Sequence, residues 1–262
     1  MDRIDPLRER GAHDDNATRT VPRLVELALS GQPTLLLLLG RNGEDVNSVV
    51  DSIVRPSALA AGARDRDIVE VTGLAWERET AFGVLGRLGL DQNDPAKSLA
   101  KMASSGPQVR IISEAGDADA DSLRAISSAV HRLDHSPLLV VVATAADPAQ
   151  DDQGIVGDLR RAHRRTALKI EGLDPVGVQE FASSLGLTLD DGVARRLSRH
   201  TDGSPSQIAE LLTEHDPSAW KAPDAQIPAT RSAIARMRVD QGRAGPEVTA
   251  LVEACAIIGR WV

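Results

Sequence analysis

The stretch "TLLLLLGRNGEDVNSVVDSIV", residues 34–54, decides how the chain is read. The five leucines after Thr34 form an apolar run without alternation, which marks a strand covered on both faces. The run leads into Gly40 and Gly43, and a helical pattern follows near 46–54. A strand that delivers a glycine-rich turn to a helix start lets backbone N–H groups and the helix dipole face a phosphate. The full pattern, G-x-x-x-x-G-K-S/T, adds a lysine for the β and γ phosphates and a hydroxyl for magnesium. With Gly40 as the first glycine and Gly43 as a frequent extra one, Asp45 stands at the second required glycine. Val46 then takes the lysine position and Asn47 the hydroxyl position. Shifting the frame by one to use Ser48 puts Arg41 and Val46 at both glycines.

Losing one charge-assisted hydrogen bond removes about 1.5–3 kcal/mol. The Asp45 carboxylate adds repulsion, roughly 4 kcal/mol for unit charges 4 Å apart at an effective dielectric of 20. Arg41 offsets part of this at most. A working triphosphate cradle is therefore not expected, and the plain alternative is a glycine turn after a strand. Were a nucleotide retained, the loop residues to meet it would be Gly40, Arg41, Gly43, Asn47 and Ser48.

Outward from this stretch, short apolar runs alternate with helical patterns. The runs are 34–39, 67–71, 109–112, 138–143 and 168–170, and the helical patterns lie near 46–54, 78–88, 96–104, 121–133 and 154–163. That alternation implies βαβ units and a mostly parallel α/β sheet. Residues 1–20 are charged and aperiodic and read as a flexible arm, followed by the helical "VPRLVELALSG" ending at Gly31. The α/β domain is placed at 21–172. Three short helices then form a small all-α unit at 173–216, with Asp174 and Ser204 as N-caps ahead of Pro175 and Pro205. A Pro-rich connection and two helices, near 229–240 and 246–257, fill 217–262. The apolar ending "ACAIIGRWV" reads as a chain that continues in a longer protein.

Composition narrows the function classes. Aromatic residues are 2% of the chain and tyrosine is absent, which disfavours nucleic-acid recognition by base stacking. The net charge of −8 disfavours gripping a phosphate backbone. The single cysteine, Cys255, allows no internal disulfide, and no apolar run is long enough to span a bilayer. A cytoplasmic location without membrane contact is the expectation.

Four collinear segments resemble the large ATP-binding LuxR-type transcription regulators, within the STAND branch of AAA+-like ATPases. In "VRIISEAGDADADSL", residues 109–123, a hydrophobic strand ends at Ser113-Glu114, where the family has two acids, and "ADADSL" is similar to its H-W-A-D-x-x-S-L. "HRLDHSPLLVVVATA" resembles the stretch before the family's sensor arginine, with Ala145 at that arginine. "HTDGSPSQIAELL" is similar to its T-G-G-N-P helix start, whose proline, here Pro205, lies near the adenine. "PEVTALVEACAIIGRWV" resembles the opening of its winged-helix-like domain. The resemblance covers about residues 32–262 and implies a P-loop NTPase-like domain, a helical lid and the start of a winged-helix-like domain. The lysine is Val46, the metal-side acid Ser113 and the sensor arginine Ala145, while Glu114 matches the family's catalytic acid. Phosphoryl transfer depends on metal and cations, so hydrolysis is expected to be lost. ATP or ADP stands as a candidate ligand, and magnesium is not expected.

Other constellations weigh less. His131 and His135 share metal-ligand spacing but have no third partner in sequence, so no metal is expected. "DLRRAHRRT", residues 158–166, reads as a basic cluster balancing local acids. The expected role is a regulatory module that responds to a ligand or protein partner. It would associate with a protein partner or itself, and touch DNA only through a helix-turn-helix outside this chain. The rivals are an active ATPase using Arg41 and Asn47 in an unorthodox cradle, and a pure protein-interaction module.

Overall fold

The computed structural model describes residues 15–41, 43–145, 154–222, 225–231 and 233–234. The expected arm over 1–14, most of the helix near 229–240, the helix near 246–257, Cys255 and the winged-helix start lie outside the described residues. The chain divides into two compact units between Glu171 and Gly172.

In the first unit, strands β1 (Thr34–Gly40), β2 (Ile68–Thr72), β3 (Gln108–Ser113), β4 (Leu138–Ala145) and β5 (Ala167–Ile170) form one sheet in the order β2-β3-β4-β1-β5. Every pairing is parallel. The leucine run is the reason β1 lies inside the sheet: alternate residues serve opposite faces. Leu36 and Leu38 join Val109, Ile111 and Val141 in one core layer, packed with Val21 and Val25 of α1 (Asp15–Leu29) and Val46 of α2 (Gly43–Val49). Leu35, Leu37 and Leu39 join Ile112, Val140 and Val142 in the other. That second layer is covered by α4 (Gly83–Arg87), α5 (Pro95–Ala103) and α6 (Ala120–His131) through Leu85, Leu99, Leu123 and Ile126. Each fully buried leucine contributes about 1.5–3 kcal/mol, so the run is a main source of the sheet's stability.

The helices depart from expectation in three places. α1 opens at Asp15, so residues 15–20 of the expected flexible arm are helical; Pro22 lies inside this helix and does not begin it. Core packing of Val21, Val25 and Ala28 holds the segment where local propensity gives a boundary. The helix after β1 starts at Gly43 and not near 46, leaving two residues between strand and helix. It continues through a π turn, Val50–Val54, into α3 (Arg55–Ala60); Pro56 has no N–H to give an i→i−4 bond, which accounts for the widened turn. The expected helix near 78–88 is a 3₁₀ turn at Ala75–Glu77 and the short α4, separated by Phe82 in the left-handed region. α7 (Gly154–Ala162) leads back to β5.

The second unit packs α8 (Pro175–Ser184), α9 (Asp191–His200) and α10 (Pro205–Glu214) around Val178, Val193, Leu197, Ile208, Leu211 and Trp220. The caps read from sequence are in place: Asp174 accepts from the Gly177 N–H at 2.7 Å and Ser204 from the Gln207 N–H at 3.3 Å. Asp190 caps α9 in the same way. Arg196 donates to the carbonyls of Trp220, Ala222 and Ala225, which ties the Pro-rich connection to α9. Among the described residues no helix is long and apolar enough to cross a membrane.

Candidate functional site

Parallel strands all end at one edge, and in open α/β sheets ligands meet the carboxyl ends of the strands. Here that edge brings together Gly40, Thr72, Ser113 and Ala145, since Gly40 pairs with Ala145 and Thr72 with Ser113. The resemblance places its nucleotide chemistry on the same edge.

Val46, at the lysine position, is fully buried and belongs to the core layer beneath the sheet. This is a consequence of the early helix start, which turns residue 46 toward Leu36 and Leu38's side of the sheet. Arg41 is exposed, Asn47 half-buried and Ser48 exposed on the helix surface, where its carbonyl accepts from the Ser52 hydroxyl at 2.6 Å. Glu44 and Asp45 occupy the first turn of α2. Two carboxylates there already complement the helix dipole, and they repel an incoming phosphate.

Glu114 adds a third carboxylate. A Cβ built on Gly43 would lie 2.4 Å from its Oε1, so the Glu114 side chain rests over the face that glycine leaves open. Glu114 is held with φ 48, in the left-handed region, a conformation that costs a non-glycine residue about 1 kcal/mol or more. Its surroundings fix the turn. Gly73 donates its N–H to the Ser113 carbonyl at 2.8 Å, and a Cβ on Gly73 would stand 2.3 Å from the Glu114 carbonyl oxygen. The Gly116 N–H donates to the Thr144 hydroxyl at 3.0 Å, and Arg78 pairs with Asp117.

Ser113, at the position of the metal-side acid, is buried, and its hydroxyl lies 3.1 Å from Thr72 Oγ1. It faces the neighbouring strand. Ala145 ends β4 exposed and carries no polar group. Pro205 opens α10 in the second unit. The donor set at this edge does not fit a magnesium triphosphate. The lysine position points into the core, the metal-side position is a hydrogen-bonded serine, and three carboxylates surround the helix start.

Sequence reasoning passed over two residues. Thr144 anchors the Glu114 turn through Gly116; its only signal was a polar residue ending an apolar strand. Asp119 is 2% exposed and accepts from the N–H groups of Ser122 (2.8 Å), Phe82 (3.0 Å) and Val84 (3.1 Å), while the Ser122 hydroxyl accepts from Leu85 N–H at 2.9 Å. One carboxylate thus caps α6 and also pins the start of α4. This is what the D-x-x-S spacing in "ADADSL" does. Of the two histidines with ligand spacing, His131 stacks on His163, with ring centroids 4.5 Å apart, and His135 sits in the left-handed region with φ 50.

No protein-family model and no curated protein matches the sequence. Solved structures do match its fold. The ORC2 protein of Aeropyrum pernix, in ADPNP–ADP complexes, aligns with TM-score 0.53 at 12% identity, covering 79% of this chain and 62% of that one. The ORC1 protein of the same organism, in complex with DNA, aligns with TM-score 0.50 at 15% identity, covering 90% and 67%. A RuvB variant of Thermotoga maritima aligns more weakly, with TM-score 0.46 at 15% identity, covering 82% and 66%. The two ORC proteins are P-loop AAA+ ATPase-like, and the likeness to them at such identities is one of fold: a parallel five-stranded α/β, P-loop NTPase-like sheet. The chain spans about two thirds of the length of these structures.

Proposed function

We propose that this chain is the regulatory portion of a LuxR-type transcriptional regulator, built on an AAA+-like ATPase fold from which hydrolysis has been lost. The observation that carries the loss is the burial of Val46: the position from which a lysine would reach the phosphates is part of the core. The hydrogen-bonded Ser113 and the carboxylates of Glu44, Asp45 and Glu114 support the same reading. The regulator assignment is supported by the four collinear segments and by the D-x-x-S element, whose residues cap two helices at once.

As a regulatory module the chain changes its packing when a ligand or protein partner binds one arrangement more tightly than another, and no hydrolytic cycle is required. DNA contact belongs to a helix-turn-helix outside this chain. The test is a titration of the full chain with ATP and magnesium, coupled to an assay for released phosphate. The expected outcome is no turnover; binding in the micromolar range with steady phosphate release overturns the reading. In parallel, the chain alone is expected not to retard nonspecific duplex DNA at low salt.

A further inference from the structure

At the amino edge of the sheet, away from the strand ends just described, α6 and α7 finish beside the starts of β1 and β5. An open cavity of about 420 Å³ lies there. That volume falls in the range of small-molecule sites. Its charged lining has one sign: Arg161, Arg164, Arg165, His131 and His163 face it, and among the described residues no Asp or Glu does. In a chain of net charge −8 this is a local reversal.

The sequence suggested that the cluster balances nearby acids, and the structure bears that out only for part of it. Arg161 pairs with Asp158 at 2.5 Å, whereas Arg164 and Arg165 are exposed and make no ion pair among the described residues. The helix ends oppose an anion, each supplying roughly half a negative charge. With Arg161 set against its acidic neighbour Asp158, the guanidinium groups of Arg164 and Arg165 outweigh the two helix ends, which together supply roughly one negative charge. The floor is rigid. His163 is 7% exposed, its Nε2 lies 2.8 Å from the Ser127 hydroxyl, and its ring stacks on His131 at 11°. Burial keeps His163 neutral at neutral pH, so the pair does not repel itself apart.

We propose that this cavity binds the phosphate group of a small phosphorylated metabolite, gripped by Arg164 and Arg165 with Arg161 beside them. Guanidinium forks match carboxylate and phosphate alike. Two exposed forks side by side, Arg164 and Arg165, are matched better by the three terminal oxygens and near-double charge of a phosphate monoester than by the single charge of a carboxylate. The proposal stands apart from the reading of the opposite edge, and its test requires neither regulation nor a nucleotide.

The full chain, with its histidine rings observed by NMR, is titrated with inorganic phosphate and separately with glycerol 3-phosphate at constant pH and ionic strength. The ring signals of His131 and His163 are expected to move and saturate with at least one probe. Arg164→Ala with Arg165→Ala should weaken that binding about tenfold or more. Arg195→Ala, an exposed arginine on α9, should leave it unchanged. The proposal is overturned by signals that never saturate, by equal binding in the double variant, or by a weakening just as large in Arg195→Ala. It is also overturned if only a duplex oligonucleotide moves both rings, since the surface then serves a polymer.

Discussion

The Glu114 side chain lies across the open face of Gly43, while the Glu114 carbonyl lies across the open face of Gly73. The two glycines are not equivalent. At Gly43 an added methyl meets the far end of a flexible carboxylate, which can swing aside, and alanine is the better helix former. At Gly73 it meets backbone, 2.3 Å from the Glu114 oxygen and 2.7 Å from the Ala118 nitrogen. Gly43→Ala is therefore expected to change stability by less than about 1 kcal/mol, and Gly73→Ala to cost about 2–3 kcal/mol. Thermal unfolding followed by circular dichroism separates them, with a fall of roughly 4–10 °C expected for Gly73→Ala alone. Equal losses would show that the Glu114 turn is not held as described.

Restoring the missing lysine should not restore the chemistry. Val46→Lys places an ammonium group in the layer formed by Leu36, Leu38, Val109 and Val141. Burying an unpaired charge costs several kcal/mol unless the group escapes or loses its proton. The variant is expected to unfold at a markedly lower temperature and to gain no affinity for ATP. A stable variant that binds ATP more tightly than the parent would mean that residue 46 can reach the loop after all.

Asp119 is the residue whose loss should spread furthest. Asp119→Ala leaves three buried or half-buried N–H groups, of Phe82, Val84 and Ser122, without their acceptor. The expected cost is about 2–4 kcal/mol, from a lost helix cap together with unsatisfied donors. Asp119→Asn keeps one acceptor oxygen and should lose about half as much. Hydrogen exchange at Phe82 and Val84 reports the release directly: faster exchange at those amides, 35 residues or more away in sequence, is the signature of the clamp. Unchanged protection there would reduce Asp119 to an ordinary cap.

These cases show what the sequence could and could not reveal. The inner strands β1 and β4 were legible because their runs, Leu35–Leu39 and Leu138–Ala143, are apolar on both faces. The edge strands β2 and β5, which expose Glu70 and Lys169, were marked by shorter apolar runs between helical patterns. The caps at Asp174 and Ser204 were legible because each bond spans three residues. The start of α2 was not, since Gly43 is a poor helix former and the packing of Val46 decides the boundary. Nor was the second role of Asp119, which depends on residues 82–85 arriving from another part of the chain. The cluster at 158–166 was visible as charge, but its sorting into an Arg161 paired with Asp158 and an exposed Arg164 and Arg165, without an ion pair among the described residues, required the geometry of the α7 end.

His163 gives the protein a calculable response to acid. Its pKa is lowered to about 4, chiefly by burial and then by the neighbouring His131, against about 6.5 in an unfolded chain. Because the folded value is the lower one, the unfolded state takes up a proton first as the pH falls. The neutral ring's contribution is intact above about pH 6.5, declines through the interval, and is fully lost below about pH 4. The loss is on the order of 1–3 kcal/mol. The informative quantity is the difference between the parent chain and His163→Gln, because it isolates the contribution of this ring. Urea midpoints measured from about pH 7.5 to 4.5 should show the parent losing more stability than the variant. A difference that stays constant across this range would mean that His163 accepts its proton equally well in both states, and that the Ser127–His163–His131 stack is open to water.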